Sequence, residues 1–372
     1  MKIAFTGYYG MANYGDDLFV LASTYGASNF WGVKPVIIGS KVNGIDANFK
    51  VKKFNKLYLG HNIFSKAYRM FIMLTSFIEN DKVVLAGGSV ISSDTSNTMR
   101  KFQHYLAKKN ISKISAIGVS VGPFTNNEDY ENARKFINDM EYISVRDLDS
   151  YNILKNMGIK IPYILGRDIA GVLPISSKST NILNNNEFVL GVSLCNYESY
   201  TNGNIEIENA RNKAIIEGIK KFALSRKNIK VKILVLNTHP VLGDFKISKE
   251  LQSYLNKFNI SNELIYHNGN PTMIWNEIAN CSAFLSVRLH GAITAYLNNV
   301  PFVLVEYHKK CSAFLDDIGF NKTLRIKNNI DNSDYIKDIL NKITKFENLV
   351  NLTPEEYNEQ AIKTFTCAPW GK

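Results

Sequence analysis

Short β-rich runs of apolar residues alternate along this chain with longer stretches of helical periodicity, the pattern of parallel sheets built from βαβ units. In the first half Lys2–Thr6, Pro35–Ile38, Lys82–Ala86, Ile114–Val121, Tyr142–Val145 and Tyr163–Leu165 read as strands. Between them Leu18–Tyr25, Glu131–Met140 and Asp149–Met157 read as helices, the last followed by Gly158 at a C-cap position. Leu173 to Glu187 (LPISSKSTNILNNNE) then breaks the pattern and reads as a linker, with a proline, a Ser/Thr cluster and successive asparagines. Beyond it Phe188–Leu194, Val231–Leu236, Leu264–Tyr266, Ala283–Val287, Phe302–Val305 and Thr323–Ile326 read as strands. Ala210–Ser225 is an amphipathic helix with Ala214, Ile215, Ile219 and Phe222 on one stripe. Thr353-Pro354-Glu355-Glu356 offers an N-cap, a proline at N1 and a capping-box glutamate, so a last helix starts there. The expected architecture is α/β, with two Rossmann-like doubly wound domains facing a cleft. Their bounds are 1–172 and 188–350, with a linker at 173–187 and a C-terminal helix and tail at 351–372. Ligands belong at the C-terminal ends of the strands.

A length of 372 residues suits two sizeable cores, and 45% hydrophobic with 21% charged residues is ordinary for a globular protein. An excess of 44 Lys+Arg over 33 Asp+Glu gives a net charge of +11. Such a surface attracts anions: nucleic acid, anionic substrates and an acidic membrane face all fit it, as does a merely Lys-rich composition. Cys195, Cys281, Cys311 and Cys367 show no CxxC spacing, which argues against a metal site or a disulfide framework and fits a reducing cytoplasm. The N-terminus reads as a first strand, without the apolar segment of a signal peptide. No window reaches the roughly 18 apolar residues of a membrane span. Residues 62–78 come nearest, interrupted by Ser65, Lys66 and Arg69. An interfacial helix fits them, and a core helix with a basic outer face fits better.

Candidate chemistry gathers at strand ends. Ser286-Val287-Arg288-Leu289-His290-Gly291-Ala292 passes from a buried strand into a helix that opens on small residues. Amide groups of a helix N-terminus and the helix dipole favour an anion, a guanidinium adds a planar fork for the same oxyanions, and an imidazole adds an acid or base near neutral pH. An Arg and a His at a strand end also occur as ordinary solvated loop residues. The first strand empties into Gly7-Tyr8-Tyr9-Gly10-Met11-Ala12-Asn13-Tyr14-Gly15-Asp16-Asp17, whose glycines, tyrosines, Asn and Asp suit a sugar better than a dinucleotide, since GxGxxG is absent. Tyr9, Asn13 and Asp16 are the candidates there, while Asp17 reads as a helix cap. Gly87-Gly88-Ser89, Gly118–Pro123 and Ser144-Val145-Arg146-Asp147 each end a strand, and Gly87, Gly88 and Arg146 join the candidates. Both a ligand contact and a loop role fit His239 of Thr238-His239-Pro240. Lys310 is placed to bring a point charge to the anion near Arg288, with His308 and Lys309 exposed.

The order of these motifs resembles that of the polysaccharide pyruvyl transferase family. The resemblance rests on GYYGMANYGDD (7–17), AGGS (86–89), GVSVGPF (118–124), SVRDLDSYNILKNMGI (144–159) and SVRLHGAITAYLNNVPFVLVEYHKK (286–310). It implies a GT-B-like arrangement of two Rossmann domains, phosphoenolpyruvate as the donor substrate with no further cofactor and no metal, and a sugar or oligosaccharide acceptor, free or lipid-linked at the inner membrane face. It implies no nucleic-acid partner, and a cytoplasmic location or a peripheral one on the cytoplasmic membrane face. By resemblance His290 is the general acid, and Arg288 and Arg146 bind the phosphate and carboxylate of the donor, with Leu289, Gly291 and His239 beside them. Lys310 takes the lysine position of the family's Tyr-Asp-Pro-Lys segment, although this chain reads Tyr-His-Lys-Lys. Asn13, Gly15 and Asp16 match the family's Asn-x-Gly-Asp piece on the acceptor side. The competing reading is a nucleotide-sugar glycosyltransferase of the same architecture. Phe314 stands where a Glu-x7-Glu pair starting at Glu306 needs a second glutamate, whereas His239-Pro240 resembles a His-Pro motif of some sialyl-transferring enzymes.

Overall fold

The computed structural model describes residues 1–60, 62–93, 97–109, 111–175, 187–345 and 349–371. The chain divides into two compact units. The first comprises Met1–Met11, Asp16–Pro174 and Glu355–Lys372, and the second Ala12–Gly15 and Ile175–Pro354. Most of the linker expected at 173–187 lies outside the described residues.

In chain order the first half carries β1 (Ile3–Thr6), α1 (Tyr14–Gly26), β2 (Val36–Ser40), β3 (Asn48–Val51), α2 (Asn55–Leu59), α3 (Ile63–Glu79) and β4 (Lys82–Ala86). It continues with α4 (Asn97–Lys108), β5 (Lys113–Val119), α5 (Asn127–Asn138), β6 (Tyr142–Val145), α6 (Leu148–Asn156) and β7 (Tyr163–Leu165). The seven strands form one parallel sheet in the order β3-β2-β1-β4-β5-β6-β7. Its strand order reverses between β1 and β4, so the loops after those two strands flank the point where an open α/β sheet leaves room for a ligand. Almost every position of β1, β4, β5 and β6 is buried, as expected of strands covered on both faces.

The second half runs β8 (Phe188–Ser193), α7 (Glu198–Thr201), α8 (Ile205–Leu224), β9 (Ile229–Val235), α9 (Phe245–Lys257), β10 (Asn262–Tyr266), α10 (Pro271–Ala279) and β11 (Ala283–Ser286). It ends with α11 (Leu289–Leu297), β12 (Phe302–Glu306), α12 (Lys309–Asp317), β13 (Ile326–Lys327), α13 (Ser333–Ile343) and α14 (Pro354–Thr366). The sheet order is β10-β9-β8-β11-β12-β13, again parallel throughout. The reversal falls between β8 and β11, so the residues following β11, Arg288 and His290 among them, lie at that unit's switch point. In α8 Asn204 caps the first turn by accepting from the Ile207 N–H, and the stripe Ala214, Ile215, Ile219 and Phe222 is buried. From residue 355 onward α14 belongs to the first unit, where Phe365 packs on Trp31 with ring centroids 5.0 Å apart and Trp31 Nε1–H donates to the Phe365 carbonyl.

Three expectations need correction. Thr323–Ile326 is not a strand: the Asn321 side chain accepts from the Thr323 N–H and starts a 3₁₀ turn at Lys322–Leu324, which leaves only Ile326–Lys327 to pair with β12. The helix after the first strand starts at Tyr14 rather than Leu18, so Asp17 lies inside it and accepts from the Gly10 N–H at 2.8 Å instead of capping. The helix at 62–78 is the core helix expected, but its outer side is not purely basic, since large apolar residues stand there beside the exposed Lys66. It buries Ser65, Ile72, Met73, Ser76 and Phe77, and Phe64, Phe71 and Ile78 remain on its exposed side.

Candidate functional site

Arg288 is the N-cap residue of α11, delivered there by β11, and Leu289 is the first helical residue. The helix is apolar and buried on nearly every side, so its N-terminus is fixed by packing rather than by a side-chain cap. Close packing explains Gly291, where a Cβ would lie 2.6 Å from Ser286 Oγ and 3.0 Å from the Phe284 ring. The Gly291 N–H donates to the Arg288 carbonyl at 3.1 Å, closing the first turn of the helix. Leu289 is buried and contributes a side chain to the core. Across the switch point Ser286 Oγ and Ser193 Oγ stand 2.8 Å apart, tying β11 to β8.

The guanidinium of Arg288 has a partner that sequence reasoning missed. Its Nε and Nη2 both donate to Asp244, a carboxylate with no solvent exposure at the start of α9. Asp244 is held in turn by the Asn237 N–H at 3.1 Å, and its own N–H donates to the Asn237 carbonyl at 2.8 Å. His239 belongs to the same loop, where its Nδ1 accepts from the Val241 and Leu242 amides and shapes the turn leading to Asp244. Burial opposes the charge on Arg288, but the adjacent Asp244 carboxylate outweighs it and raises the guanidinium pKa further. Arg288 is therefore a fixed cation with 21% of its side chain exposed, and its Nη1 edge is the part that Asp244 does not occupy. Burial pushes the neighbouring Cys195 thiol up to about 11, with Arg288 drawing it back. It also raises the Tyr307 phenol, over whose ring the Lys310 ammonium lies at 5.9 Å. His308 is half-buried, contrary to expectation, because its Nδ1 accepts from the Lys310 N–H and caps α12.

His290 is half-buried and follows Arg288 by two residues. Its position depends on residues 12–15, the stretch of the N-terminal loop that belongs to the second unit. The Tyr14 N–H donates to the Leu236 carbonyl and the Thr238 N–H to the Ala12 carbonyl, each at 2.8 Å, and Asn13 bridges antiparallel to Asn237. Tyr14 Oη meets Thr294 Oγ1 at 2.7 Å, and Thr294 Oγ1 donates to the His290 carbonyl at 2.7 Å. Gly15 faces the imidazole so closely that a Cβ there would overlap Nδ1. Asn13 Oδ1 accepts from the Gly15 N–H and steadies the same turn. Asn13 and Gly15 thus share a unit with Arg288 and His290, whereas Asp16 is half-buried and belongs to the first unit.

In the first unit Arg146 follows β6, and its fork spans the ends of three other strands. Nε donates to Ser120 Oγ at 2.7 Å, Nη1 to Asp168 at 3.2 Å and Nη2 to Ser89 Oγ at 3.3 Å. Gly87 and Gly88, with φ of 73° and 82°, make the left-handed turn that presents Ser89. Arg146, assigned to the donor, and Gly87 and Gly88, assigned to the acceptor, therefore meet at one place. Tyr9 requires a correction: it is fully buried, and its hydroxyl donates to the Ala86 carbonyl at 2.8 Å and the Thr6 carbonyl at 3.1 Å. It ties the loop after β1 to the end of β4 and presents no ring face to a sugar. Its neighbour Tyr8 is the exposed one.

Comparison with known proteins adds two findings. Residues 13–309 match the family model described as polysaccharide pyruvyl transferase, a span that holds Asn13, Arg146, Arg288 and His290 and ends one residue before Lys310. None of the curated proteins compared with the chain matches it. Among solved structures, UDP-GlcNAc 2-epimerase from Methanocaldococcus jannaschii is similar with a TM-score of 0.62 and 14% identity, covering 98% of each chain. S. aureus MnaA with UDP follows at 0.60 and 11%, covering 100% of this chain and 93% of that one. Anabaena HepE in complex with UDP-glucose gives 0.57 and 10%, covering 99% and 100%. At such identities the likeness shows the fold, a GT-B-type chain of two Rossmann-like domains.

Proposed function

Since the chain belongs to the polysaccharide pyruvyl transferase family, we propose that it moves a pyruvyl group from phosphoenolpyruvate onto a pair of hydroxyls of a sugar. The acceptor in this reading is a sugar or oligosaccharide of a surface polysaccharide, free or lipid-linked. The observation that carries the donor assignment is the pairing, at the switch point of the second unit, of a fixed cation and an imidazole: Arg288 on Asp244 and His290 against Gly15. A donor carrying both a carboxylate and a phosphate suits Arg288, Lys310 and the first turn of α11, since a preorganised fork and a helix N-terminus stabilise an oxyanion without rearranging. Arg146 remains a proposed donor contact by family resemblance, and Asn13, Asp16, Gly87 and Gly88 remain proposed acceptor contacts.

The reaction then proceeds as follows. His290 gives a proton to the methylene carbon of phosphoenolpyruvate, which becomes a methyl group, and the adjacent carbon takes on oxocarbenium character. One acceptor hydroxyl adds to that carbon and gives up its proton. The carbon–oxygen bond to phosphate breaks, and phosphate leaves with the bonding electrons. The second hydroxyl adds and loses its proton, closing the ketal. Of the two protons released, one restores His290 and the other leaves with phosphate. A positioned acid contributes roughly 10²–10⁴-fold to such a step, and Arg288 contributes by holding the phosphate whose charge grows as it departs.

Incubation of the protein with phosphoenolpyruvate and a panel of sugars tests the reading through release of inorganic phosphate together with a pyruvyl gain in acceptor mass. A second reading, nucleotide-sugar transfer, is favoured by the UDP and UDP-glucose found in the similar structures. Release of UDP from a UDP-sugar, with no phosphate from phosphoenolpyruvate, would select it.

A further inference from the structure

The proposed transfer makes no use of the outer face of α3. Phe64, Phe71 and Ile78 recur at seven-residue intervals, so they form one stripe along the helix, about 21 Å long at 1.5 Å per residue. They are 72%, 58% and 64% exposed, large apolar side chains left in water while the opposite stripe packs on the sheet. Ile63 and Phe54 extend the apolar surface, Phe54 lying edge-on to Tyr68 of the same helix. The segment is built rather than frayed. Asn62 caps α3 through the Ser65 N–H at 2.8 Å, and Arg69 Nη1 donates to the Tyr58 and Gly60 carbonyls at 2.7 Å, locking α2 to α3.

The charges around this stripe have one sign. Residues 47–78 contain Lys50, Lys52, Lys53, Lys56, Lys66 and Arg69 and no acidic residue. The neighbouring α4 adds the exposed Lys101 and Lys108 and no acidic residue, its Arg100 being buried on the Ser92 carbonyl. The carboxylates that bracket this stretch, Asp46 and Glu79, are paired with Lys34 and Lys50. An exposed apolar stripe along a helix, flanked by cations, is the design of a helix lying in the interface of an anionic bilayer. Two copies of this chain meeting through the same face would bring like charges together, which disfavours self-association. A second basic, aromatic surface at Phe245, Lys246 and Lys249 on α9 includes Glu250 and lacks this uniform sign.

We propose that the α2–α3 face of the first unit docks the protein on an anionic membrane surface, with Phe64, Phe71 and Ile78 entering the interface and Lys52, Lys53, Lys56 and Lys66 meeting lipid phosphates. The inference does not depend on the proposed transfer reaction. No helix among the described residues is long and apolar enough to cross a membrane, so the contact is peripheral.

Co-sedimentation of the full-length protein with vesicles of phosphatidylcholine alone, and of phosphatidylcholine mixed with phosphatidylglycerol, tests it. Binding is expected on the anionic vesicles only and should weaken as salt is added, and each cation removed by substitution should cost roughly fivefold. Phe64→Ser combined with Phe71→Ser should reduce it by at least about tenfold with an unchanged melting temperature, because both side chains are already in water. Lys56→Gln with Lys66→Gln should weaken binding by roughly 25-fold at low salt and remove about half of the salt dependence, and Phe245→Ser with Lys249→Gln should change nothing. The proposal is overturned by absence of binding, by equal binding to both vesicles, or by loss of binding through the α9 variant. Sedimentation of the free protein as a dimer that Phe71→Ser dissociates would also overturn it, by assigning the face to a second copy.

Discussion

Replacing Gly15 by alanine is the sharpest perturbation of the second-unit site. The new Cβ would overlap His290 Nδ1 and stand 2.9 Å from Cγ and 3.0 Å from Cε1, separations that packed atoms do not tolerate. Either the imidazole or the loop must give way. The loop is held by the Tyr14 and Thr238 amide bonds to Leu236 and Ala12, and by the Tyr14 contact with Thr294. Turning the imidazole off its rotamer costs about 0.5–1.5 kcal/mol, less than losing three buried hydrogen bonds at about 1 kcal/mol each. The ring should therefore move and the loop should stay. Displacement of a proton donor by about 1 Å lowers turnover roughly 100-fold, while stability falls by only about 1–3 kcal/mol. Measured as phosphate release from phosphoenolpyruvate, Gly15→Ala should lose kcat with KM for the donor little changed, since Arg288 keeps its partner Asp244. His290→Ala should lower kcat further, and the double variant should be no worse than His290→Ala alone. Full turnover by a folded Gly15→Ala protein would refute the link between this loop and the acid.

Other substitutions probe the remaining parts. Asp244→Asn leaves the Arg288 cation without its buried counter-charge, and should destabilise the second unit by about 3 kcal/mol. That corresponds to roughly 6–12 °C in a thermal melt, and KM for the donor should rise as the fork loses its orientation. Phe365→Ala removes the ring that packs on Trp31 within the first unit, and urea denaturation should show a loss of about 3–5 kcal/mol. Iodoacetamide at mildly alkaline pH should label Cys367 alone in the native protein, because Cys195, Cys281 and Cys311 are buried and burial holds their thiols at about 11 to 12. Mass spectrometry should find all four modified once denaturant is added.

The strands were legible because parallel sheets bury both faces and leave apolar runs that turns interrupt; the two-residue β13 and the edge strand β3, with only Phe49 and Val51 buried, carry too little of that signal. Arg288 and His290 were legible as a strand end running into a helix. Asp244 was not, because it reaches Arg288 from a loop 44 residues earlier and no short motif ties the two positions together. The direction of Tyr9 could not be read from a glycine-rich loop, which has no periodicity to assign an inner and an outer side. In α3 apolar residues occur on both sides, so the pattern did not say which stripe the sheet would cover. Phe71 and Ile72 are adjacent in sequence, yet one is exposed and the other buried.

Saturation-transfer NMR on the wild-type protein, with phosphoenolpyruvate and UDP-sugars offered in turn, bears most directly on what the second unit holds. Phosphoenolpyruvate should give a signal that disappears in Arg288→Gln and survives in His290→Asn, the latter binding donor without releasing phosphate. A UDP-sugar signal with none from phosphoenolpyruvate, or a donor signal indifferent to Arg288→Gln, would contradict it.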